Sequence, residues 1–296
     1  MFPLISEVPR YRFAYGVLLL ILVNIGVHLY FMFYPNILLF ADFGFSPIKL
    51  SLPSEIVTLS DKIIPFFTYS FIHTNIIHLI FNMVNLFLFG INVENKIGFI
   101  RFLIFYILYG IFGVICESIV LPNSNNIILG SSSAIAGIMG MYFIFHPISK
   151  IKTYVPLRKI ISVPAVIYIL FFIALQFGLY FGEKEFNISS YIEKFQLFIG
   201  LNEAYIRISN VSIWSPVGGF ISGIFFGILT AIVIYFRTRN KANKQIKNES
   251  NSTNNNGEIE YVVTKSPTVN DFKNEIVVTV DNDFNPDKDN ISIKKK

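Results

Sequence analysis

The stretch His73-Thr-Asn-Ile-Ile-His78-Leu-Ile-Phe-Asn82 opens an apolar run that continues to Ile91, and its reading decides the fold. Crossing about 30 Å of hydrocarbon takes roughly 20 mostly apolar residues. Ile76–Ile91 is short by that measure and carries polar groups, which suits a helix surrounded by protein rather than lipid. His78 and Asn82 are four apart and share one helix face, while His73 precedes the helix and belongs to its entry loop. Polar groups inside hydrocarbon are costly, so these either bond a neighbouring helix or serve a site. Metal binding is the weaker alternative, because no carboxylate or Cys completes a ligand set at suitable spacing.

Five more apolar runs flank this one: Arg12–Tyr34, Phe102–Val120, Ser132–Phe145, Val163–Phe181 and Ile213–Phe236. Hydrophobic residues make up 53% of the chain and charged residues 15%, against about a quarter charged in a soluble domain. The expected fold class is an all-α membrane protein, a bundle of six transmembrane helices over residues 12–236. Residues 1–11 form a cytoplasmic N-terminus. Residues 237–296 form a polar tail, rich in Asn, Lys and Asp, that buries too little apolar surface to offset chain entropy and is expected to be disordered. Two β-prone patches in it, Tyr261–Thr264 and Ile276–Val280, read as too isolated to make a domain. Segment 35–75 is long for a loop and includes amphipathic pieces such as Ile63–Phe71, suited to the membrane interface.

The net charge of +5 does not point to nucleic acid, because Lys and Arg cluster at the ends of apolar runs, where they set topology and meet lipid headgroups. With the N-terminus inside, the cytoplasmic side holds Arg10, Arg12, Lys96, Arg101, Lys150, Lys152, Arg158, Lys159, Arg237, Arg239 and Lys241. The opposite loops hold Lys49 and Lys62, then Lys184, Lys194 and Arg207 offset by Glu183, Glu185, Glu193 and Glu203. The positive-inside rule therefore places both termini in the cytoplasm. The first apolar run lacks a small-residue cleavage site and is long enough to span, so it reads as a retained helix. The single Cys116 excludes a disulfide framework and a Cys-based metal site. Asn187-Ile-Ser and Asn210-Val-Ser fit the glycosylation pattern on the outer side, a motif short enough to match by chance.

Two further polar strings stand out. Gly130-Ser131-Ser132-Ser133-Ala134-Ile135-Ala136-Gly137 opens the fourth run. Serine at a helix N-terminus meets free backbone N–H groups and the positive end of the macrodipole, as an oxyanion requires; it is equally a preferred cap. In the sixth run Gly219, Gly223 and Gly227 recur every fourth residue and make a helix-packing stripe. Ser132, Ala136 and Gly140 make a comparable stripe on the fourth. Packing the two together brings the start of the sixth helix, with Pro216 one turn before Gly219, beside Ser132.

These strings together resemble the rhomboid family of intramembrane serine proteases. FIHTNIIHLIFNMVNLFLFGINVENKIG (71–98) is similar to its second-helix signature of His, four residues, His, three residues, Asn. GSSSAIAGIMG (130–140) resembles its Gly-x-Ser nucleophile motif, and Gly218-Gly219-Phe220 resembles the start of its sixth helix. The resemblance covers residues 12–236. It implies a six-helix bundle with a water-filled cavity, in which a helix-four serine and a helix-six histidine cleave transmembrane substrates. By that resemblance Ser132, in the motif opened by Gly130, takes the nucleophile position. His78, Asn82 and the Ser132 N–H take the oxyanion positions, and His73 matches the first histidine of the signature. No cofactor is implied.

The departure is Pro216, which stands where the family has its catalytic histidine. A serine hydroxyl is a weak nucleophile without an adjacent base, and proline has no titratable group. His146 lies fourteen residues beyond Ser132, roughly 21 Å along a helix. His28 has no motif support. His73 or His78, turned to act as base, would cost the oxyanion hole a donor, a loss on the order of 10²–10³ in rate. Three functions are therefore weighed. The first is a degenerate rhomboid that binds transmembrane clients without cutting them. The second is an active intramembrane serine endopeptidase with an unorthodox base. The third is a small transporter, which would predict no Gly-x-Ser motif and shows no inverted repeat.

Overall fold

The computed structural model describes residues 2–8, 12–34, 37–73, 75–155, 158–186, 212–249, 260–262, 276–279 and 294–295. The chain divides into two compact units, Met1–Ala231 and Ile232–Lys296. In chain order the helices are α1 (Tyr15–Phe33), α2 (Ile37–Phe43), α3 (Leu59–Ile63), α4 (Pro65–Thr68), α5 (Ile76–Ile97), α6 (Phe99–Val120), α7 (Ser132–Phe145), α8 (Ala165–Phe186) and α9 (Trp214–Glu249). Among the described residues, four helices are long and apolar enough to cross a membrane: α1, α5, α6 and the Trp214–Lys244 part of α9. The apolar helix α7 and the Ala165–Gly178 part of α8 are shorter.

Helix α5 is the central element. Of its most apolar window 56% is buried, against 28% for α1, so α1 presents much more of its surface outward. Leu86, Phe89, Tyr106, Tyr109, Ile135, Met139 and Tyr142 form the middle of the core, drawn from α5, α6 and α7. Helix α5 also runs to Ile97, beyond the expected end at Ile91. The polar residues past that point are buried by a partner. The Glu94 carboxylate accepts hydrogen bonds from the backbone N–H groups of Gly16 (2.9 Å) and Val17 (2.8 Å). Those are orphan donors at the positive end of α1, where a carboxylate is favoured.

The expectation of an all-α chain is corrected at two places. Strands β1 (Phe2–Ser6), β2 (Lys150–Val155) and β3 (Arg158–Pro164) form an antiparallel sheet in that order, with Phe2 opposite Tyr154 and Ile151 opposite Val163. The connection between α7 and α8 alternates β-branched and polar residues, a strand pattern that its charges obscured in the sequence. The N-terminal residues complete the sheet, and the Ser6 hydroxyl bonds the Tyr142 hydroxyl of α7 at 2.9 Å. In the second unit β4 (Glu260–Val262), β5 (Ile276–Thr279) and β6 (Lys294–Lys295) pair antiparallel, with Tyr261 opposite Val278. The two patches read as isolated therefore pair with each other.

Segment 37–71 holds α2, α3, α4 and two 3₁₀ turns, Pro47–Leu50 and Tyr69–Phe71. Helix α3 begins with a capping box: the Thr58 hydroxyl and backbone N–H both donate to Asp61, holding its carboxyl below the usual carboxylate range. Tyr69 is fully buried and its hydroxyl donates to the Gly110 carbonyl of α6 (2.8 Å), which anchors this segment beside the start of α7. Asn187, Asn210, Arg10 and the charges Glu193, Lys194, Glu203 and Arg207 lie outside the described residues.

Candidate active site

The site is built at the start of α7. Gly130 has φ +104°, a conformation that favours glycine. Its N–H donates to the Tyr69 carbonyl (3.0 Å). A Cβ here would come within 2.5 Å of His78 Cε1, so the His78 ring lies directly on the Gly130 backbone. Ser131 then caps α7, its carbonyl accepting from Ile135 N–H (2.9 Å), while its side chain makes no cap bond.

That freed Ser131 hydroxyl meets His73, whose Nε2 lies 3.2 Å from Ser131 Oγ. The same Nε2 accepts from Asn82 Nδ2 at 3.0 Å. Asn75 caps α5 by accepting from His78 N–H (2.7 Å), which sets where His78 leaves the backbone. The His73 and His78 rings meet edge-on, 5.2 Å apart. The residues His73, His78, Asn82, Gly130 and Ser131 thus form one cluster from two separate stretches of chain. Within it, His73 Nδ1 and Asn82 Oδ1 are buried without a hydrogen-bond partner among the described residues.

Ser132 is the first residue of α7 and half-buried, and its hydroxyl has no hydrogen-bond partner among the described residues. His73 and Asn82 bond each other and Ser131 rather than Ser132. His28 Nδ1 lies 3.3 Å from the His73 carbonyl, and His146 caps the opposite end of α7. Among the described residues there is also no group of three or more His, Cys, Asp or Glu able to hold a metal ion.

The start of α9 packs against the start of α7, with a phase different from the one expected. A Cβ on Gly219 would clash with the Ser133 backbone, one on Gly223 with the Gly137 backbone, and one on Gly227 would come 3.2 Å from Met141 Cα. The face of α7 that receives the glycines is therefore Ser133–Gly137–Met141, not Ser132–Ala136–Gly140. Gly140 closes the same seam, its Cβ position lying 2.5 Å from the Phe220 carbonyl. Spacings of four and three follow a helical face, whereas neighbouring positions such as 132 and 133 point about 100° apart. Ala136 instead lines a cavity together with Pro216.

Pro216 sits in the first turn of α9, where a backbone N–H has no intrahelical acceptor, so proline removes no helix bond there. The polar groups around it are used elsewhere. Glu117, buried on α6, accepts from the Ser212 hydroxyl and from Ser215 N–H (2.9 Å), and the Ser215 hydroxyl bonds the Ser133 hydroxyl. Sequence reasoning missed this carboxylate. The signal was present, because Glu117 is a lone acid within the apolar run 102–120, and an ionisable residue inside a span carries a role by default.

A family model described as the Rhomboid domain matches residues 60–233. The chain is 40% identical over 73 residues to the mitochondrial RHOMBOID-like protein 6 of Arabidopsis thaliana. It is 35% identical over 71 residues to RHOMBOID-like protein 4 of that plant, and 40% identical over 67 residues to its RHOMBOID-like protein 2. Those stretches cover 25%, 24% and 23% of this chain, and 23%, 18% and 20% of the relatives. The chain thus matches about a fifth of the length of these curated relatives.

Proposed function

The chain belongs to the rhomboid family, whose domain model covers more than half of it, and on that footing we propose that it is a degenerate rhomboid, binding transmembrane clients without cutting them. It is an integral, multi-pass membrane protein. In this reading all six apolar helices span, α7 and α8 being short because protein surrounds them. Both termini are cytoplasmic, and clients approach laterally within the bilayer.

The observation that carries the reading is that Pro216 stands in the first turn of α9, which packs against the start of α7, and carries no titratable group. Ser132 has a hydroxyl with no base beside it, and position 216 supplies none. His73 on the same side is engaged by Asn82 and Ser131, and its ring meets that of His78 edge-on. General-base catalysis contributes typically 10²–10⁴-fold, and this arrangement forgoes it.

The second reading, an active intramembrane serine endopeptidase with an unorthodox base, draws support from the same Ser132. The residue is half-buried rather than sealed, and it stands at the positive end of α7, with no acidic residue in that helix's first turn. A fluorophosphonate probe separates the two. The degenerate reading expects no labelling of Ser132 in detergent or bilayers. Robust labelling that Ser132→Ala abolishes would establish the active enzyme instead.

A further inference from the structure

Strand pairing gathers charge and apolar surface on one face of the connection between α7 and α8. In the β2–β3 ladder Lys150 stands opposite Pro164 and Lys152 opposite Ser162, and all four are exposed. Side chains alternate along a strand, so Ile160, 58% exposed, shares that face. Ile148, just before β2, is 92% exposed. The other face is closed: Ile151 and Val163 are buried, and the Thr153 hydroxyl bonds the Tyr168 hydroxyl of α8. Tyr142, near the end of α7, bonds both Ser6 and Ser149 through its hydroxyl. The two lysines therefore stand on a platform fixed to two helices rather than on a free loop.

Positive charge dominates this end of the bundle. The Arg12 backbone N–H donates to the Asn95 side chain beside Lys96, and Arg12, Lys96 and Arg101 are all exposed. The acids nearby are occupied, Glu94 by the start of α1 and Glu7 by the Ser162 hydroxyl. Neither Lys150 nor Lys152 pairs with a carboxylate among the described residues.

Helix length sets the depth. Helix α7 has 14 residues, about 21 Å, against about 30 Å of hydrocarbon. A sheet fixed to the end of so short a helix stays at the membrane boundary instead of projecting into water. There the exposed isoleucines meet the tops of the acyl chains, and lysines lay their methylenes along that surface with the ammonium among the phosphates. Nucleic acid or an acidic peptide would answer the charge and leave Ile148 and Ile160 in water. A phosphatidylcholine surface would cover the isoleucines but sets a choline cation near each lysine. An anionic phospholipid answers both.

We propose that the exposed face of the β2–β3 pair binds anionic phospholipid, with Lys150 and Lys152 on the headgroup phosphate and Ile148 and Ile160 in the acyl boundary. This goes beyond the topological bias of basic loops, because the lysines are held in register beside apolar anchors. It does not depend on whether Ser132 has a base.

The test uses the full chain carrying Cys116→Ser and Ile148→Cys, labelled with bimane at position 148 and reconstituted in phosphatidylcholine vesicles. The quencher is phosphatidylglycerol or phosphatidylcholine with a nitroxide near the top of one acyl chain. One cation near an anionic surface contributes about fivefold. Half-quenching is therefore expected at a mole fraction of the phosphatidylglycerol quencher about twentyfold below that of the phosphatidylcholine quencher. Lys150→Gln and Lys152→Gln should each remove about fivefold of that preference, Lys152→Arg should keep it, and added salt should shrink it. Equal quenching by the two lipids would show a face that touches the bilayer without selecting charge, and would overturn the proposal. Quenching by neither would place the sheet in water and overturn it as well. If soluble glycerol phosphate relieves the quenching, the ligand is a free anion and the lipid site is wrong.

Discussion

Two helix starts meet in this molecule, and they handle the same electrostatic opportunity in opposite ways. The start of α9 already holds an anion: Glu117 accepts from Ser215 N–H and the Ser212 hydroxyl. The start of α7 has no acidic residue in its first turn, and Ser132 at its head keeps an unpartnered hydroxyl. A helix N-terminus stabilises negative charge of either kind. A resident carboxylate makes a permanent joint, whereas a vacant end is able to receive a charge that develops only transiently. The rhomboid scaffold here keeps the vacant end at α7 and the joint at α9, where position 216 carries no titratable side chain.

The sharpest way to break this contrast is to restore the base. Pro216→His places an imidazole in the first turn of α9, where helix bonding does not depend on residue 216. If only the base is missing, fluorophosphonate labelling of Ser132 should rise on the order of 10²–10⁴-fold, and a model single-span substrate should be cut. Continued silence would show that the start of α7 has drifted as well, and that its vacancy is not catalytic.

Next in size is the joint. Glu117→Ala removes the shorter of two acceptors of Ser215 N–H, leaving Ser212 Oγ at 3.2 Å, and takes away the Ser212 hydroxyl's acceptor; it should cost about 2–3 kcal/mol, read as a lower thermal midpoint in detergent. Glu117→Gln keeps an acceptor and should recover part of that loss. An unchanged midpoint in both would mean that glycine packing alone holds α9 to α7.

The smallest effect tests the other end. Gly130→Ala forces an alanine to φ +104° and places its Cβ against the His78 ring, at about 1–2 kcal/mol. The loss should be smaller than for Glu117→Ala, and in the Pro216→His background it should lower labelling by more than it lowers stability. Equal losses would make Gly130 a packing residue only.

Particular residues show where the sequence was legible. Helix α7 spans Ser132–Phe145 as its composition predicts, and His73, His78, Asn82 and Gly130 do converge. Helix α5 outran its expected end because Glu94 looks like a span terminator in the sequence, and only the N-terminus of α1 makes its burial favourable. The partner of the glycine stripe was displaced by one residue, a rotation of about 100° about α7 that small residues at 132, 136 and 140 do not fix in the sequence. Strands β1 to β3 were hidden because the strand that completes their sheet comes from the opposite end of the first unit.

What the sequence determined by itself is what depends on composition and local order. The apolar runs require a membrane, the motif order identifies the family, and the proline at 216 cannot itself serve as a base whatever the fold does. The tertiary structure decided how the polar groups pair. His73 bonds Ser131 and Asn82 rather than Ser132, and Glu117 occupies the head of α9. Pairings of that kind join residues far apart in the chain. Local propensity does not encode them, because each is set by helix phase and by the cost of leaving a buried polar group unpaired.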